Sequence, residues 1–215
     1  DGKIKREKKY GRKIKNKIEG FLKRIKKIFG ERLLSCILYG SAVKGNYKEG
    51  ISDINLLVIV DKFDAKDLDE IKRNVSKYAW KNLIKPYFFS EWFLLSSADV
   101  FPVEWKDIKE NHIVVYGEDL TQKINIEEEN LRIELERKLK QLFLDFQHGI
   151  IFEKNKKFVI EETIKNLNFL IPLIEKQIGK RISIPEYSKK ENLENKIDEL
   201  LKFFSDTINF IEKKL

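Results

Sequence analysis

The sequence is poor in the residues that build disulfide frameworks, zinc clusters and membrane spans. Its 215 residues include one cysteine, Cys36, and two histidines, which excludes an internal disulfide framework and a cysteine-rich zinc site. The longest apolar run is the six residues 169–174 and contains a proline, whereas a membrane helix needs about 20. No apolar stretch of the signal-peptide type follows the basic N-terminus. We therefore expect a cytoplasmic protein with no membrane partner.

Positive charge is concentrated at one end of the chain. Lysine and arginine number 43 against 35 acids, a net charge of +8, but residues 1–32 alone hold 14 basic and 4 acidic residues. Apolar residues in this segment recur at helical spacing and Gly30 is placed to end the helix, so we predict a basic helix over residues 3–30. Its charged side, residues 3–27, is a candidate surface for nucleic acid or nucleotide phosphates. The alternative is a solvated face of a helix that covers a sheet.

The rest of the chain changes character near residue 127. Apolar runs at 33–39, 52–60, 86–90 and 112–116 predict strands, with a helix over 64–82 and a turn at 101–104. Strands that alternate with helices indicate an α/β or α+β sheet domain over residues 1–125. Three amphipathic stripes then predict a helical bundle over residues 126–215, with a kink at Pro172.

Residues 38–60 carry the pattern with chemical content. A strand ends at Gly40-Ser41, and Gly40 has no Cβ, so a phosphate can approach the backbone and the Ser41 hydroxyl. Asp53 opens the next strand, and residues 53 and 55 project from the same side because side chains alternate. Two carboxylates at this spacing would hold divalent metals against a triphosphate, although the second position here is Asn55.

This segment resembles the signature of the nucleotidyltransferase superfamily. The signature is Gly-Ser, a basic residue and Gly, then Ser-Asp-x-Asp at the head of an apolar strand, and it matches LYGSAVKG at 38–45 and SDINLLV at 52–58. The family includes DNA polymerase beta and kanamycin nucleotidyltransferase. Residues 99–119 also resemble uncharacterised prokaryotic members with a helical C-terminal domain. The resemblance implies an α+β fold in which helices flank a mixed sheet and a C-terminal helical bundle follows.

The same resemblance implies a reaction and a set of site residues. The reaction is the Mg²⁺- or Mn²⁺-dependent transfer of a nucleoside monophosphate from an NTP, expected to be ATP, to a hydroxyl on an unknown acceptor. Asp53 and Asn55 would bind the metal and, with Glu104, form the catalytic set. The residues that would bind the nucleotide are Gly40, Ser41, Lys44, Gly45 and Ser52.

Two departures from the signature bear on activity. Asn55 removes one negative charge from a site that concentrates divalent cations, and the predicted strand 86–90 contains no third acid. The nearby acids are Glu91, Glu104 and Asp107, of which Glu104 is the best candidate because it follows a Phe-Pro turn; otherwise it is a solvent-facing turn acid. Loss of one oriented charge-stabilising group costs on the order of 3–4 kcal/mol in the transition state.

Three functions therefore remain open. The first is an active nucleotidyltransferase. The second is a catalytically degenerate relative that binds nucleotide, including an antitoxin-like partner of another protein. The third is a nucleic-acid binder that uses the basic helix 3–27. An apolar edge on the bundle would also allow a homodimer.

Overall fold

The chain forms two compact units, Asp1–Ile126 and Glu127–Leu215. A computed structural model describes residues 11–188 and 191–212, so residues 3–10 of the predicted basic helix lie outside the described residues. Over those two ranges, no helix combines the length and the apolar character that crossing a membrane requires.

A four-stranded mixed sheet forms the centre of the first unit. Its strands are β1 (Leu33–Tyr39), β2 (Ile54–Val60), β3 (Ile84–Ser90) and β4 (His112–Gly117), in the order β3-β2-β1-β4. β1 is antiparallel to β2 and to β4, whereas β2 and β3 are parallel. This arrangement confirms the predicted fold class, and each predicted strand is present. β2 begins one residue after Asp53 rather than at it.

Among the residues described for the first unit, six helices surround the sheet, and two predictions differ from what is observed. The predicted helix 64–82 is divided at Val75, and the predicted turn 101–104 is the start of a helix. Pro102 lies at the first helical position, where its missing N–H costs no hydrogen bond and its fixed φ suits the helix. The helices are α1 (Arg12–Phe29), α2 (Ser41–Lys44), α3 (Ala65–Asn74), α4 (Ser76–Lys81), α5 (Glu91–Ser96) and α6 (Pro102–Glu110), and two 3₁₀ segments lie at Gly30–Arg32 and Leu120–Lys123.

Both faces of the sheet are covered, which explains the uninterrupted apolar runs of its central strands. The first face consists of the even-numbered residues of β1 and β2, and α1 packs on it through Ile14, Ile18, Phe21, Ile25 and Phe29. The second face carries α5 and α6, which contact the odd-numbered residues through Leu94, Trp105 and Ile108. The side chain of Asn55 therefore points to the α6 side of the sheet.

The second unit contains the three predicted helices, α7 (Glu128–Phe152), α8 (Lys156–Ile178) and α9 (Leu193–Glu212). Each packs on the other two, which confirms the helical bundle. Pro172 lies inside α8 without ending it. Phe204 of α9 is fully buried, and its ring stacks on Phe143 with centroids 5.1 Å apart.

A substitution of Phe21 tests the packing of α1 on the sheet, because this side chain is fully buried in that interface. Phe21→Ala leaves a cavity and is expected to lower the free energy of unfolding by about 3–5 kcal/mol. Trp80→Ala is the matched control, since Trp80 lies in the same unit with 85% of its surface exposed, and its effect should stay within about 0.5 kcal/mol. Urea unfolding followed by circular dichroism measures both. Equal losses of unfolding free energy in the two variants would contradict the packing of α1 on the sheet.

Candidate functional site

Gly40 makes the connection between β1 and α2. Its φ is 78° and its ψ −149°, a conformation that glycine adopts without the steric cost that a Cβ imposes. Its carbonyl accepts hydrogen bonds from the N–H groups of Val43 at 3.0 Å and Lys44 at 3.1 Å. Because two of the four N–H groups of α2 are thus bonded to Gly40, those of Ser41 and Ala42 are the candidates for binding a phosphate.

Asn55 packs directly against this turn. Tyr39 pairs with Asn55 across β1 and β2, and a Cβ built on Gly40 would lie 2.6 Å from Asn55 Nδ2. Gly40 is therefore required for a reason that the sequence did not show: a larger residue would displace Asn55. The structure thus brings the Gly40-Ser41 turn and Asn55 together, as the signature implies.

Asp53 and Ser52 lie at the end of the loop that leads into β2. Asp53 is exposed. The Ser52 N–H donates to the Lys48 carbonyl at 2.8 Å, and Ser52 Oγ accepts from the Lys48 N–H at 3.0 Å. Ser52 therefore closes the loop that positions Asp53, and its contact with a nucleotide stays a prediction.

Lys44 is engaged by an acid from α6. Lys44 Nζ lies 2.6 Å from Asp107 Oδ1, and Asn111 Nδ2 donates to the same carboxylate at 3.0 Å. A phosphate would have to compete with Asp107 for Lys44. Gly45 ends α2 in the left-handed conformation, with φ 83°, so its observed role is to shape the loop.

Glu104 lies in the first turn of α6 rather than in a solvent-facing turn. It is half-buried, and its Oε2 atom is shielded from solvent. Because α6 covers the face of the sheet to which Asn55 points, Glu104 and Asp107 both lie on the Asn55 side. Its role as third acid stays a prediction.

The oxygen donors at this turn do not fit a resident metal centre. Asp53 offers one carboxylate and Asn55 one neutral amide oxygen, whereas catalytic metal pairs are held by several carboxylates. Within the part of the chain that the structure describes, no three or more His, Cys, Asp or Glu residues are grouped so that they could hold a metal ion. Binding of Mg²⁺ or Mn²⁺ through Asp53 and Asn55 stays a prediction.

A lysine on the neighbouring strand lies beside Asn55. Asn55 pairs with Lys85 in the parallel ladder of β2 and β3, and Lys85 is exposed. Paired residues of neighbouring strands point to the same face, so Lys85 is the next residue beside Asn55. A cation at this position favours an anion over a metal ion. Sequence reasoning missed Lys85 because the register of two strands cannot be read from either strand alone.

His112, the other cross-strand neighbour of Tyr39, has a structural role. Its Nδ1 lies 2.8 Å from the Ile108 carbonyl and its Nε2 lies 3.1 Å from Asp119 Oδ2. Burial alone raises the pKa of the Asp119 carboxyl, but hydrogen bonds from Thr121, Gln122 and His112 outweigh it and lower that pKa below its ordinary value. His112 and Asp119 therefore tie α6, β4 and the following 3₁₀ segment together.

Comparisons with known proteins support the fold. No family model matches the chain, and no curated protein matches it. Among solved structures it is similar to spectinomycin adenyltransferase AAD(9) from Enterococcus faecialis, crystallised with ATP and spectinomycin. The two chains are 14% identical with a TM-score of 0.52, and the match covers 88% of this chain and 98% of that one. The likeness confirms the predicted nucleotidyltransferase fold.

The contact between Gly40 and Asn55 can be tested with a matched glycine. Gly40 and Gly50 both have φ 78°, so alanine is strained at each, by about 1–3 kcal/mol. The ψ of Gly40, −149°, lies at the edge of a region that essentially only glycine adopts. A Cβ at Gly50 meets nothing within 4 Å, whereas one at Gly40 meets Asn55. We expect Gly40→Ala to lower Tm by about 2–4 °C more than Gly50→Ala does. Adding Asn55→Ala to each variant should reduce this difference, because it removes the clash and leaves the backbone strain. A difference of unchanged size would show that the clash contributes nothing.

The lowered pKa of Asp119 indicates how the stability of the fold should depend on pH. A carboxyl whose pKa is lower in the folded state stabilises the fold above its unfolded pKa of about 4, and this stabilisation disappears as the pH falls through the folded pKa. Asp119→Asn should therefore be less stable than the native chain near neutral pH, with the gap narrowing below about pH 4. Urea midpoints across this range measure the gap. A gap independent of pH would mean that the carboxylate charge contributes nothing.

Proposed function

We propose that this protein binds a nucleoside triphosphate at the Gly40-Ser41 turn and transfers its nucleoside monophosphate to a hydroxyl acceptor. The observation that carries the proposal is the contact between Gly40 and Asn55, which unites the two halves of the signature in a nucleotidyltransferase fold. The similar structure was crystallised with ATP and spectinomycin, which supports ATP as the nucleotide and a second, acceptor ligand.

The reaction has a simple balance of bonds. The acceptor oxygen forms a bond to the α-phosphorus, the bond from that phosphorus to the bridging oxygen breaks, and pyrophosphate leaves. Glu104 is the candidate to receive the hydroxyl proton, because it is half-buried on the Asn55 side of the sheet. Gly40 and Ser41 bind the β- and γ-phosphates. Asp53 and Asn55 are the residues that would contact the Mg²⁺ or Mn²⁺ bound to the substrate triphosphate, and that ion would offset part of the triphosphate's charge.

A second candidate function is nucleotide binding without turnover. It is favoured by the pairing of Asn55 with Lys85, because a neutral amide beside a cation attracts a polyphosphate directly and a divalent metal weakly. Such a protein would serve as a nucleotide sensor or as the antitoxin-like partner of another protein.

Equilibrium titration with ATP, GTP, CTP and UTP, each with and without Mg²⁺, tests nucleotide binding. One triphosphate should bind and raise Tm, because a ligand that binds only the folded state stabilises it. Ser41→Ala should weaken this binding, whereas Ser205→Ala, an exposed serine of α9, should not. Tryptophan fluorescence and thermal shift are the readouts. Absence of binding by every triphosphate up to millimolar concentration would overturn the proposal.

The variant Asn55→Asp separates the two candidate functions. Restoring the acid should raise Mg²⁺-dependent transfer about tenfold or more if the site is otherwise intact, measured as pyrophosphate release. Asp53→Ala should lower affinity for the Mg²⁺·NTP complex. If the native chain binds nucleotide but neither it nor Asn55→Asp releases pyrophosphate, the second function is correct. Unchanged affinity in Asp53→Ala would refute the metal contact.

A further inference from the structure

Four basic side chains lie along one side of α1. Lys13, Lys17, Arg24 and Lys27 are separated by four, seven and three residues, spacings that place them on one side of a helix. We call these four residues the basic stripe. At a rise of 1.5 Å per residue the stripe extends for about 21 Å. The stripe lies about 115° around the helix from the side of α1 that packs on the sheet, so it flanks that buried side. Lys13 and Lys27 are exposed, and Lys17 and Arg24 are half-buried.

Two cavities adjoin the basic stripe. One of about 440 Å³ lies beside α2 and is lined by Arg12, Lys13, Lys17, Ala42, Gly45 and Tyr47, among others. The other, of about 460 Å³, lies beside α3 and is lined by Lys23, Arg24, Lys27, Ile28, Glu70 and Asn74. Ala42 directly follows Ser41, and Gly45 directly follows Lys44. The first cavity therefore extends from the basic stripe to residues 42 and 45 of the loop that contains the Gly40-Ser41 turn, on the α1 side of the sheet.

Tyr78 of α4 holds the middle of the stripe in place. Its hydroxyl donates to the Lys17 carbonyl at 3.1 Å, and the Arg24 guanidinium lies 3.9 Å from the centre of its ring. A Cβ at Gly20 would lie 2.0 Å from the Tyr78 hydroxyl oxygen, so glycine is what allows α4 to come this close. The stripe is thus built on a fixed backbone.

Acids only partly offset this charge. The two cavities are lined by six basic residues and by two acids, Glu49 and Glu70. Glu49 pairs with Lys13 at 2.9 Å, but both side chains are mostly exposed, and exposed pairs contribute little. A phosphate can therefore replace Glu49 at small cost.

We propose that the basic stripe binds the phosphates of a single-stranded nucleic acid and that the terminal hydroxyl of this strand is the acceptor. The inference rests on the proposed function, because the strand must end at the Gly40-Ser41 turn. Charges spread over about 21 Å match a chain of phosphates better than one compact anion. Each cavity has the volume of a small ligand, which suits single nucleotides and not a duplex. The terminal oxygen bonds to the α-phosphorus, pyrophosphate leaves, and the proton passes to Glu104 or to solvent.

Fluorescence anisotropy tests whether the stripe binds nucleic acid. It measures the affinity for a labelled single-stranded RNA of about 20 nucleotides across a range of salt concentrations. Four phosphate contacts predict a slope of log K against log salt of about −3, and Lys17→Ala with Lys27→Ala should reduce this slope by about half. The control removes the same charge from α8, through Lys156→Ala with Lys157→Ala, both exposed, and should leave the slope unchanged. Thermal denaturation confirms that both double variants fold.

The remaining outcomes separate this inference from the proposed function. The stripe variant should still bind ATP, because the proposed contacts with the triphosphate are made by the Gly40-Ser41 turn and not by the stripe. The native chain with an NTP should lengthen the RNA on a denaturing gel, and the stripe variant should do so at least tenfold more slowly. Three outcomes would overturn the inference and leave the proposed function standing. The native chain could bind ATP but not RNA, the two double variants could lose RNA affinity equally, or duplex RNA could bind as tightly as single-stranded RNA. RNA binding without binding of any triphosphate would overturn the proposed function and, with it, the acceptor role.

Discussion

The antiparallel pairing of β1 with β2 is the interaction on which the candidate site depends. These strands form the centre of the sheet and are buried from both sides by helices. Their register places Tyr39 opposite Asn55, which sets the distance between the Gly40 turn and the first residues of β2. A slip of one residue would turn Asn55 toward the face that α1 covers, where a polar amide would lose its solvation. The packing of the core and the geometry of the site are therefore set by one register.

This register also determines the electrostatics of the site. Two positive groups, Lys85 beside Asn55 and Lys44 in its ion pair with Asp107, accompany the exposed carboxylate of Asp53. At about 4 Å, a unit charge changes the energy of another by about 1 kcal/mol in water and about 4 kcal/mol near a protein surface. With Asn55 in place of a second acid and Lys85 beside it, the potential at this edge is less negative than it would be with two carboxylates.

Sequence patterns predicted the features that depend on neighbours along the chain, and missed those that depend on distant ones. Long apolar runs marked β1 and β2 because both are buried on two faces, and the amphipathic pattern marked α1. The start of α6 was misread because a Phe-Pro pair suits a turn and the first position of a helix equally well. The partner of Lys44 lies 63 residues away, and Lys85 is placed beside Asn55 only by strand register, so neither arrangement leaves a signal in local sequence.

The basic helix can be interpreted either as a surface for phosphates or as a solvated face over a sheet. The two are compatible, because burial of one side of α1 fixes the orientation of its charged side. Phe21 and Ile25 of α1 are fully buried against the sheet. Each residue advances the helix by about 100°, so a small rotation of α1 about its axis would bury a lysine. The orientation of the stripe is therefore as constrained as the core. Like charges three or four residues apart, such as Lys13 with Lys17, destabilise a helix by about 0.2–0.5 kcal/mol per pair. A chain of phosphates on the stripe would convert this repulsion into attraction, which gives a bound polyanion a stabilising effect on the helix that covers the sheet.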